Sequence, residues 1–408
     1  MAHRIQEVEL SEAPVPFTLT AEQNGFALVA RWKGRLAGFC MARAARGRTV
    51  SSERLSELCA KHFGRRALAL ELEAALAKRW SSDHGLPPPS LSIAICTKDR
   101  AKRLARLLSS LQQVRIMSRF RWLEILVVDN ASVDSATRDA VAGFEDVRYV
   151  FEPRPGLDFA RNAALSHAEG ELLAFLDDDV VVDRDWLQGL FAAWQDCPDA
   201  GGFTGLVLPY RLDTEAQIQF ESRGGFGRGF EPKRFHSTSA DNPLHPIGAG
   251  SIGAGCNMAF DRSLLQSIGG FDEALDTGAP LPGGGDLDIF YRVLRSGRPM
   301  AYEPRYAVYH EHRETIPQLR RQYWTWGLGF MAFLTKSRRH DVGLKGKQNA
   351  IIRWWLLDKL GALVAAASRL RYRELCFLMS ELWGGIVGMA GEYDRSLKRA
   401  QKIREELP

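Results

Sequence analysis

Between Ser90 and Trp194 four short apolar runs alternate with stretches of helical spacing, and no other feature of the chain limits its fold so tightly. LSIAIC leads into Ala101 to Gln113, EILVVD into a segment after Ser132, VRYVF into Asp158 to Ala168, and ELLAFLD into Arg184 to Trp194. A strand that is apolar along its whole length must be buried on both faces. Strands of that kind separated by amphipathic helices pack as a parallel sheet with helices on either side. The expected fold class is therefore α/β, with a Rossmann-like domain at its centre.

At 408 residues the chain exceeds the size at which one core stops growing, so additions are expected at both ends. Phe26 to Trp32 and Arg35 to Met41 alternate in polarity and are joined by Lys33-Gly34, the pattern of a β-hairpin. Helices over Ser52 to His62 and Ala67 to Arg79 are expected next, and Leu86-Pro87-Pro88-Pro89 then breaks helix. The expected division is a small N-terminal α+β accessory module over 1–89, the α/β domain over 90–315, and a C-terminal helical extension over 316–408. After Gly205 the pattern loosens, and Phe220 to Gly255 is rich in glycine and proline. A strand at Cys256 to Phe260, a helix at Ser263 to Ile268, a helix after Gly285 and strands around Ala301 and Val308 follow.

A net charge of +5 over this length calls for no nucleic acid, while a diphosphate or an acidic lipid surface would suit it. Six scattered cysteines without CxxC spacing indicate neither a zinc ribbon nor a disulfide framework, and reduced thiols in a cytoplasmic protein are the simpler expectation. The first residues lack the apolar core of a signal peptide, and LCFLMSELWGGIVGMAG carries Glu381. Trp324, Trp326 and Phe330 lie near Arg320, Arg321, Lys336, Arg338 and Arg339, and Trp354 and Trp355 lie near Lys359. Aromatics at helical spacing are more often core, but basic aromatic helices can also rest in a lipid interface. Peripheral contact with the inner face of the cell membrane through the C-terminal helices is the second expectation.

Ligands of doubly wound sheets bind beyond the carboxyl ends of the strands. Here those ends read Thr97-Lys98-Asp99-Arg100, Asp129-Asn130 and Asp177-Asp178-Asp179. A diphosphate is repelled from such a crevice unless a hard cation bridges it, and Mg²⁺ is commonly held by one or two carboxylates plus phosphate oxygens. Asp clusters after strands also make turns and caps, but the position of this triplet between a buried strand and a helix favours a site. An EF-hand is excluded by Val182 and Gln188, a zincin by Glu314 after His310-Glu311-His312. Gly248, Gly250 and Gly253 match GxGxxG but precede a strand, so with Gly255 they let the backbone approach a bound ligand closely or supply a flexible loop.

SIAICTKDRAKRLARLLSSL, LEILVVDNASVDSA, GLDFARNAALSHAEGELLAFLDDDVVVDRDWL, AGCNMAFDRSLLQSIGGFDEAL, GGGDLDIFYRVLRSG and YEPRYAVYHEHR resemble successive blocks of the family 2 glycosyltransferases. The resemblance implies a GT-A fold and inverting transfer from a UDP-, GDP- or dTDP-sugar to a glycan or lipid-linked acceptor, with Mg²⁺ or Mn²⁺ as cofactor. It also implies a place in polysaccharide biosynthesis at the cell envelope. Thr97, Asp99 and Asp129 would line the nucleoside pocket, and Arg161 would touch base or diphosphate. Asp177 and Asp179 match the ends of the DxD motif, Asp179 as direct ligand, with Asp178 on the ribose or supporting the metal. His310 would complete the metal site, His312 being a second choice, and Asp286 would be the catalytic base. The family commonly has Glu-Asp where this chain has Gly285-Asp286. Asp286 could instead cap the following helix, which would make Asp288 the next base to consider. Two rival functions are a sugar-phosphate nucleotidyltransferase and a non-catalytic sugar-nucleotide sensor. The first lacks the glycine-rich turn that a triphosphate cradle would want after the first strand.

Overall fold

The computed structural model describes residues 2–77, 86–238, 244–278 and 281–407. The N-terminal strands are β1 (Ala2–Glu9), β2 (Phe17–Thr18), β3 (Gln23–Trp32), β4 (Arg35–Arg43) and β5 (Thr49–Val50). They form a β1-β3-β4 sheet and a small β2-β5 pair. The expected hairpin is β3-β4. Lys33 and Gly34 turn it with φ of 49° and 86°, the two left-handed residues that a tight hairpin needs. One helix, α1 (Ser52–Ala77), stands where two were expected. Gly64 costs it roughly 1 kcal/mol against alanine but does not end it, because Lys61, Arg65, Arg66 and Ala67 around it are good helix formers. The last residues of the second expected helix lie outside the described residues.

Period-two alternation buries both faces of this hairpin. Phe26, Leu28 and Ala30 meet Leu55, Leu58 and Phe63, while Val29 and Leu36 meet Leu206, Leu208, Tyr302 and Ala307 of the central domain. The buried Arg31 guanidinium binds Glu7 at 2.8 Å and the buried Asp183 carboxylate. Removing one partner of such a pair strands the other charge at a cost of roughly 3–5 kcal/mol.

The central domain runs β6 (Leu91–Thr97), α2 (Ala101–Arg115), β7 (Leu123–Asn130), α3 (Ala136–Ala142), β8 (Val147–Glu152), α4 (Leu157–His167), β9 (Leu172–Asp177) and β10 (Val180–Val182). It continues with α5 (Trp186–Asp196), β11 (Gly202–Pro209), α6 (Glu215–Ser222), β12 (Lys233–Phe235), β13 (Asn257–Asp261), α7 (Arg262–Ser267), α8 (Gly285–Arg295) and β14 (Met300–His310). The strand order is β10-β14-β11-β13-β9-β6-β7-β8, with β12 on β14. The four strands read first from the sequence are parallel to one another. Beyond β9 the sheet is mixed, since β13 is antiparallel to both β9 and β11. One long strand, β14, replaces the two expected around Ala301 and Val308. Its neighbour β11 lies in the stretch where the pattern loosens. A Cβ on Gly205 would sit 1.6 Å from the Tyr306 carbonyl oxygen, and the ladder slips register there.

Alternate residues of β6 feed two cores. Ile93 and Ile95 join Leu104, Leu108, Trp186 and Leu190 on one side, and Ala94 joins Ala160, Ala164, Ile289 and Phe290 on the other.

The C-terminal helices are α9 (Ile316–His340), α10 (Lys345–Ser368), α11 (Tyr372–Val387) and α12 (Tyr393–Glu406). α9 and α10 are built into the second core, where Met331, Phe333, Ile351 and Trp355 are buried. α9 and α11 touch backbone to backbone: a Cβ on Gly327 would lie 1.9 Å from the Glu381 carbonyl oxygen, and one on Gly384 2.0 Å from that of Trp324.

This packing redistributes the aromatic and basic residues named from the sequence. Trp355 is buried, Trp324 and Phe330 pack on core clusters, Lys336 pairs with Asp272 and Asp288, and Lys359 pairs with Glu381. Other residues face outward: Trp354, Leu357, Leu360 and Val364 on α10, and Met379, Trp383 and Ile386 on α11. Among the described residues no helix is long and apolar enough to cross a membrane.

Candidate functional site

The carboxyl ends of β6, β7 and β9 lie side by side, with Cys96 paired to Asp177 and Thr97 to Asp129. They open on a crevice of about 640 Å³ lined by Thr97, Asp99, the three aspartates Asp177, Asp178 and Asp179, Asp276 and His310. Lys98, Arg100, Arg313 and Arg399 bring cations to the same crevice.

The triplet divides its work. Asp178 is buried and fully engaged: Thr97 Oγ1 donates to its Oδ2 at 2.7 Å and Arg100 to its Oδ1 at 2.9 Å. It braces β6 against β9. Asp177 leaves about a third of its side chain open to the crevice, with Arg161 Nη2 at 4.0 Å. Burial, then the charge of Asp179, pushes its carboxyl up to about 7. Asp179 is buried, and no donor reaches its Oδ1. His310 Nε2 lies 3.3 Å from it. Burial, reinforced by His312, drives the His310 imidazolium far below its usual range, so the ring is neutral.

His310 and His312 follow from the end of β14, and their Nδ1 atoms face each other at 3.0 Å. His312 Nε2 lies 2.6 Å from Glu221 Oε1 on α6. Phe220 and Phe226 pack edge-on against the two rings, and Trp326 packs on both phenylalanines. Trp326 thus backs the aromatic layer behind the two histidines.

Two expected donor contacts lie beneath the surface. Asp129 is buried, accepting from Ser132 Oγ and, at 2.7 Å, from Tyr149 Oη. Ser132 in turn accepts from the Asp99 amide at 3.1 Å, and Asp99 accepts from the Val133 amide at 2.9 Å. Asp129 therefore shapes the crevice through the loop that carries Asp99. Arg161 is buried on α4 and binds Asp158 at 2.9 Å and Asp276 at 3.4 Å. Its guanidinium neutralises the crevice floor from below, and the structure does not bring it to the surface.

Asp286 is the second residue of α8, whose cap is Gly284 at φ 107°. It is not the cap. Its Oδ2 accepts from the Gly255 amide at 3.3 Å and its Oδ1 from the Leu287 amide at 2.8 Å. It is partly exposed and stands beside the crevice, across Gly255 from Arg161. The neighbouring glycine has a steric cause. A Cβ on Gly285 would lie 2.4 Å from Asp158 Oδ2 and 2.5 Å from Asp276 Oδ2, so those two carboxylates fill the space a glutamate would need. Asp288 is buried and held by Arg292 at 2.7 Å and Lys336 at 2.8 Å, which removes it as an alternative base. Gly253 and Gly255 pack against the Thr204 and Asp286 side chains of the protein itself.

Sequence reasoning passed over several lining residues. Lys98 and Arg100 stand in the strand end named from the sequence but were given no role there. Arg399 arrives on α12 from the far end of the chain and carries no local signal. Asp276 lies in a turn with φ 52°.

The divalent cation implied by the DxD motif can be tested against these atoms. Among the described residues no three His, Cys, Asp or Glu side chains converge tightly enough to enclose an ion alone. Asp179 Oδ1, buried without a donor, and the neutral His310 Nε2 offer two ligand atoms, and Asp177 stands beside them. That set fits a hard cation completed by phosphate oxygens.

The family model described as Glycosyl transferase family 2 matches residues 92–269. The succinoglycan biosynthesis protein ExoM of Rhizobium meliloti (strain 1021) is 27% identical over 321 residues, 73% of this chain and 93% of that protein. Validoxylamine A glucosyltransferase of Streptomyces hygroscopicus subsp. jinggangensis (strain 5008) is 38% identical over 231 residues, 52% of this chain and 53% of that one. Among solved structures, the mannosyltransferase PcManGT from Pyrobaculum calidifontis, in complex with GDP-Man and Mn²⁺, superposes with a TM-score of 0.50. It is 19% identical, covers 77% of this chain and 94% of its own, and so shares the fold. The sequence blocks, the mixed sheet with its acidic crevice and the family match together make residues 92–269 a family 2 glycosyltransferase domain, in a chain of GT-A fold.

Proposed function

We propose that the protein transfers a sugar from a nucleotide-diphosphate donor to a hydroxyl acceptor with inversion, using Mg²⁺ or Mn²⁺. The observation that carries this reading is Asp179 Oδ1, which lacks a donor and faces His310 Nε2 in a crevice rimmed by Lys98, Arg100, Arg313 and Arg399. Asp179 and His310 would hold the cation, with Asp177 beside them. A bound divalent ion offsets the charge of the departing diphosphate. Arg100 keeps Asp178 turned away from the donor, and the loop carrying Asp99 walls the nucleoside. Asp286 takes the acceptor's proton as its oxygen attacks the anomeric carbon opposite the phosphate. A thermal-shift screen of UDP-, GDP- and dTDP-sugars with and without Mn²⁺ tests this. The cognate donor at a hundred times its Kd should add about 2.7 kcal/mol of stability, and only with metal. No shift with any sugar nucleotide would remove the reading.

For the acceptor we propose a glycan or lipid-linked polysaccharide precursor, a class in keeping with the name of the ExoM relative. Peripheral membrane contact is assigned to the outward face of α10 and α11, not to the aromatics of α9. That face carries Trp354 and Trp383 among aliphatic residues, and the connection between the helices with the first turn of α11 carries Arg369, Arg371 and Arg373 around the exposed Leu370 and Tyr372. Such a surface suits an anionic interface. The protein should float with anionic liposomes, and Leu357→Glu with Trp383→Glu should release it while leaving its melting temperature near wild type. An intact protein that stays at the bottom of the gradient would exclude the contact.

A further inference from the structure

We propose that Glu221 and His312 are positioning residues that fix the tautomer of His310, so that its Nε2 presents a lone pair to a cation shared with Asp179. The proposal rests on the metal reading above and deepens it. Two facing Nδ1 atoms at 3.0 Å can share only one hydrogen comfortably. Glu221, as a carboxylate, can only accept, so the 2.6 Å contact places the hydrogen of His312 on Nε2. With one hydrogen on each ring, His312 Nδ1 is then the acceptor, His310 Nδ1 carries the hydrogen, and His310 Nε2 is bare. That bare nitrogen points at an oxygen that itself lacks a donor, 3.3 Å away. Two lone pairs so placed repel, and a cation joining them removes the conflict.

The surroundings leave little choice of partner. Phe220 and Phe226 pack edge-on against the rings and offer no hydrogen-bonding group. The Glu221 side chain is 7% exposed, so water does not compete freely for it. The opposite order would need a second hydrogen on His312, or one on Glu221, and would aim an N–H of His310 at Asp179, closing the pair to a cation. Glu221 lies on α6 and His312 beyond β14, 91 residues apart. Residues of this kind, which touch the ligand and not the ion, typically change metal affinity 10- to 100-fold when lost.

The test is titration of the intact protein with Mn²⁺, read as free Mn²⁺ by electron paramagnetic resonance, in separate series with UDP and with GDP. His312→Phe keeps an aromatic ring but removes the acceptor for His310. Glu221→Leu removes the terminal acceptor, and Glu221→Gln keeps a carbonyl oxygen in its place. We expect Mn²⁺ affinity to fall roughly 10- to 100-fold in the first two variants and to stay within a few-fold of wild type in the third. If His312→Phe does not fold, the contrast between Glu221→Leu and Glu221→Gln decides alone. A folded Glu221→Leu protein that binds Mn²⁺ like wild type, or an equal loss in Leu and Gln variants, overturns the proposal while leaving the metal site standing. Wild-type protein that binds no Mn²⁺ with either nucleotide overturns the metal reading itself.

Discussion

Donor binding is expected to disappear when divalent cations are removed with EDTA, and to return on adding Mn²⁺ in excess of the chelator. Asp177, Asp178 and Asp179 follow one another at the end of β9, and Arg100 and Arg161 leave part of their charge facing the crevice. Unit charges 4 Å apart near a protein surface interact by about 4 kcal/mol, so a diphosphate without a bridging ion meets a large barrier. Asp179→Asn should reproduce the effect of EDTA, since it removes the ligand charge and turns an amide toward His310. The dependence on pH follows from Asp177, held up to about 7 by burial and by Asp179. Below that value a proton occupies Asp177 and competes with the cation, so Mn²⁺ affinity should weaken as pH falls through about 7 and level off above it. Calorimetric donor affinity unchanged in EDTA would contradict all of this.

The crevice was legible because parallel strands in register bring their ends together: once β6, β7 and β9 are recognised as continuous apolar runs, Thr97, Asp129 and Asp177 must be neighbours. The direction of each side chain was not. Asp158 and Arg161 stand three residues apart on α4 and pair through Asp158 Oδ1, so Arg161 turns down into the protein. Gly285 could be read only as a missing glutamate until the structure placed Asp158 and Asp276 in that space. Aromatic content in the C-terminal helices likewise could not say which face each ring takes. Trp354 and Trp355 are adjacent, yet one is exposed and the other buried, because helix packing sorts consecutive residues onto different faces. Contacts made across hundreds of residues, such as Arg399 with the crevice, leave no local trace.

Asp286→Asn is expected to separate binding from chemistry. The amide has nearly the shape of the carboxylate, and its oxygen can still accept from the Gly255 or the Leu287 amide, so α8 should start as it does now. Because Gly284, not Asp286, caps α8, little stability is at stake and the melting temperature should move little. Donor affinity should also hold, since Asp286 stands beside the crevice and is not among the residues that line it. What the amide cannot do is take a proton at neutral pH. Transfer should therefore fall by roughly 10²- to 10⁴-fold, the usual contribution of a positioned general base. Measuring sugar transfer at saturating donor together with donor affinity and melting temperature distinguishes the outcomes. If Asp286→Asn keeps most of its turnover, the base is another carboxylate. Asp288 is tied to Arg292 and Lys336, which leaves Asp276, at the crevice and accepting from the Gly285 amide at 3.1 Å, as the group to substitute next.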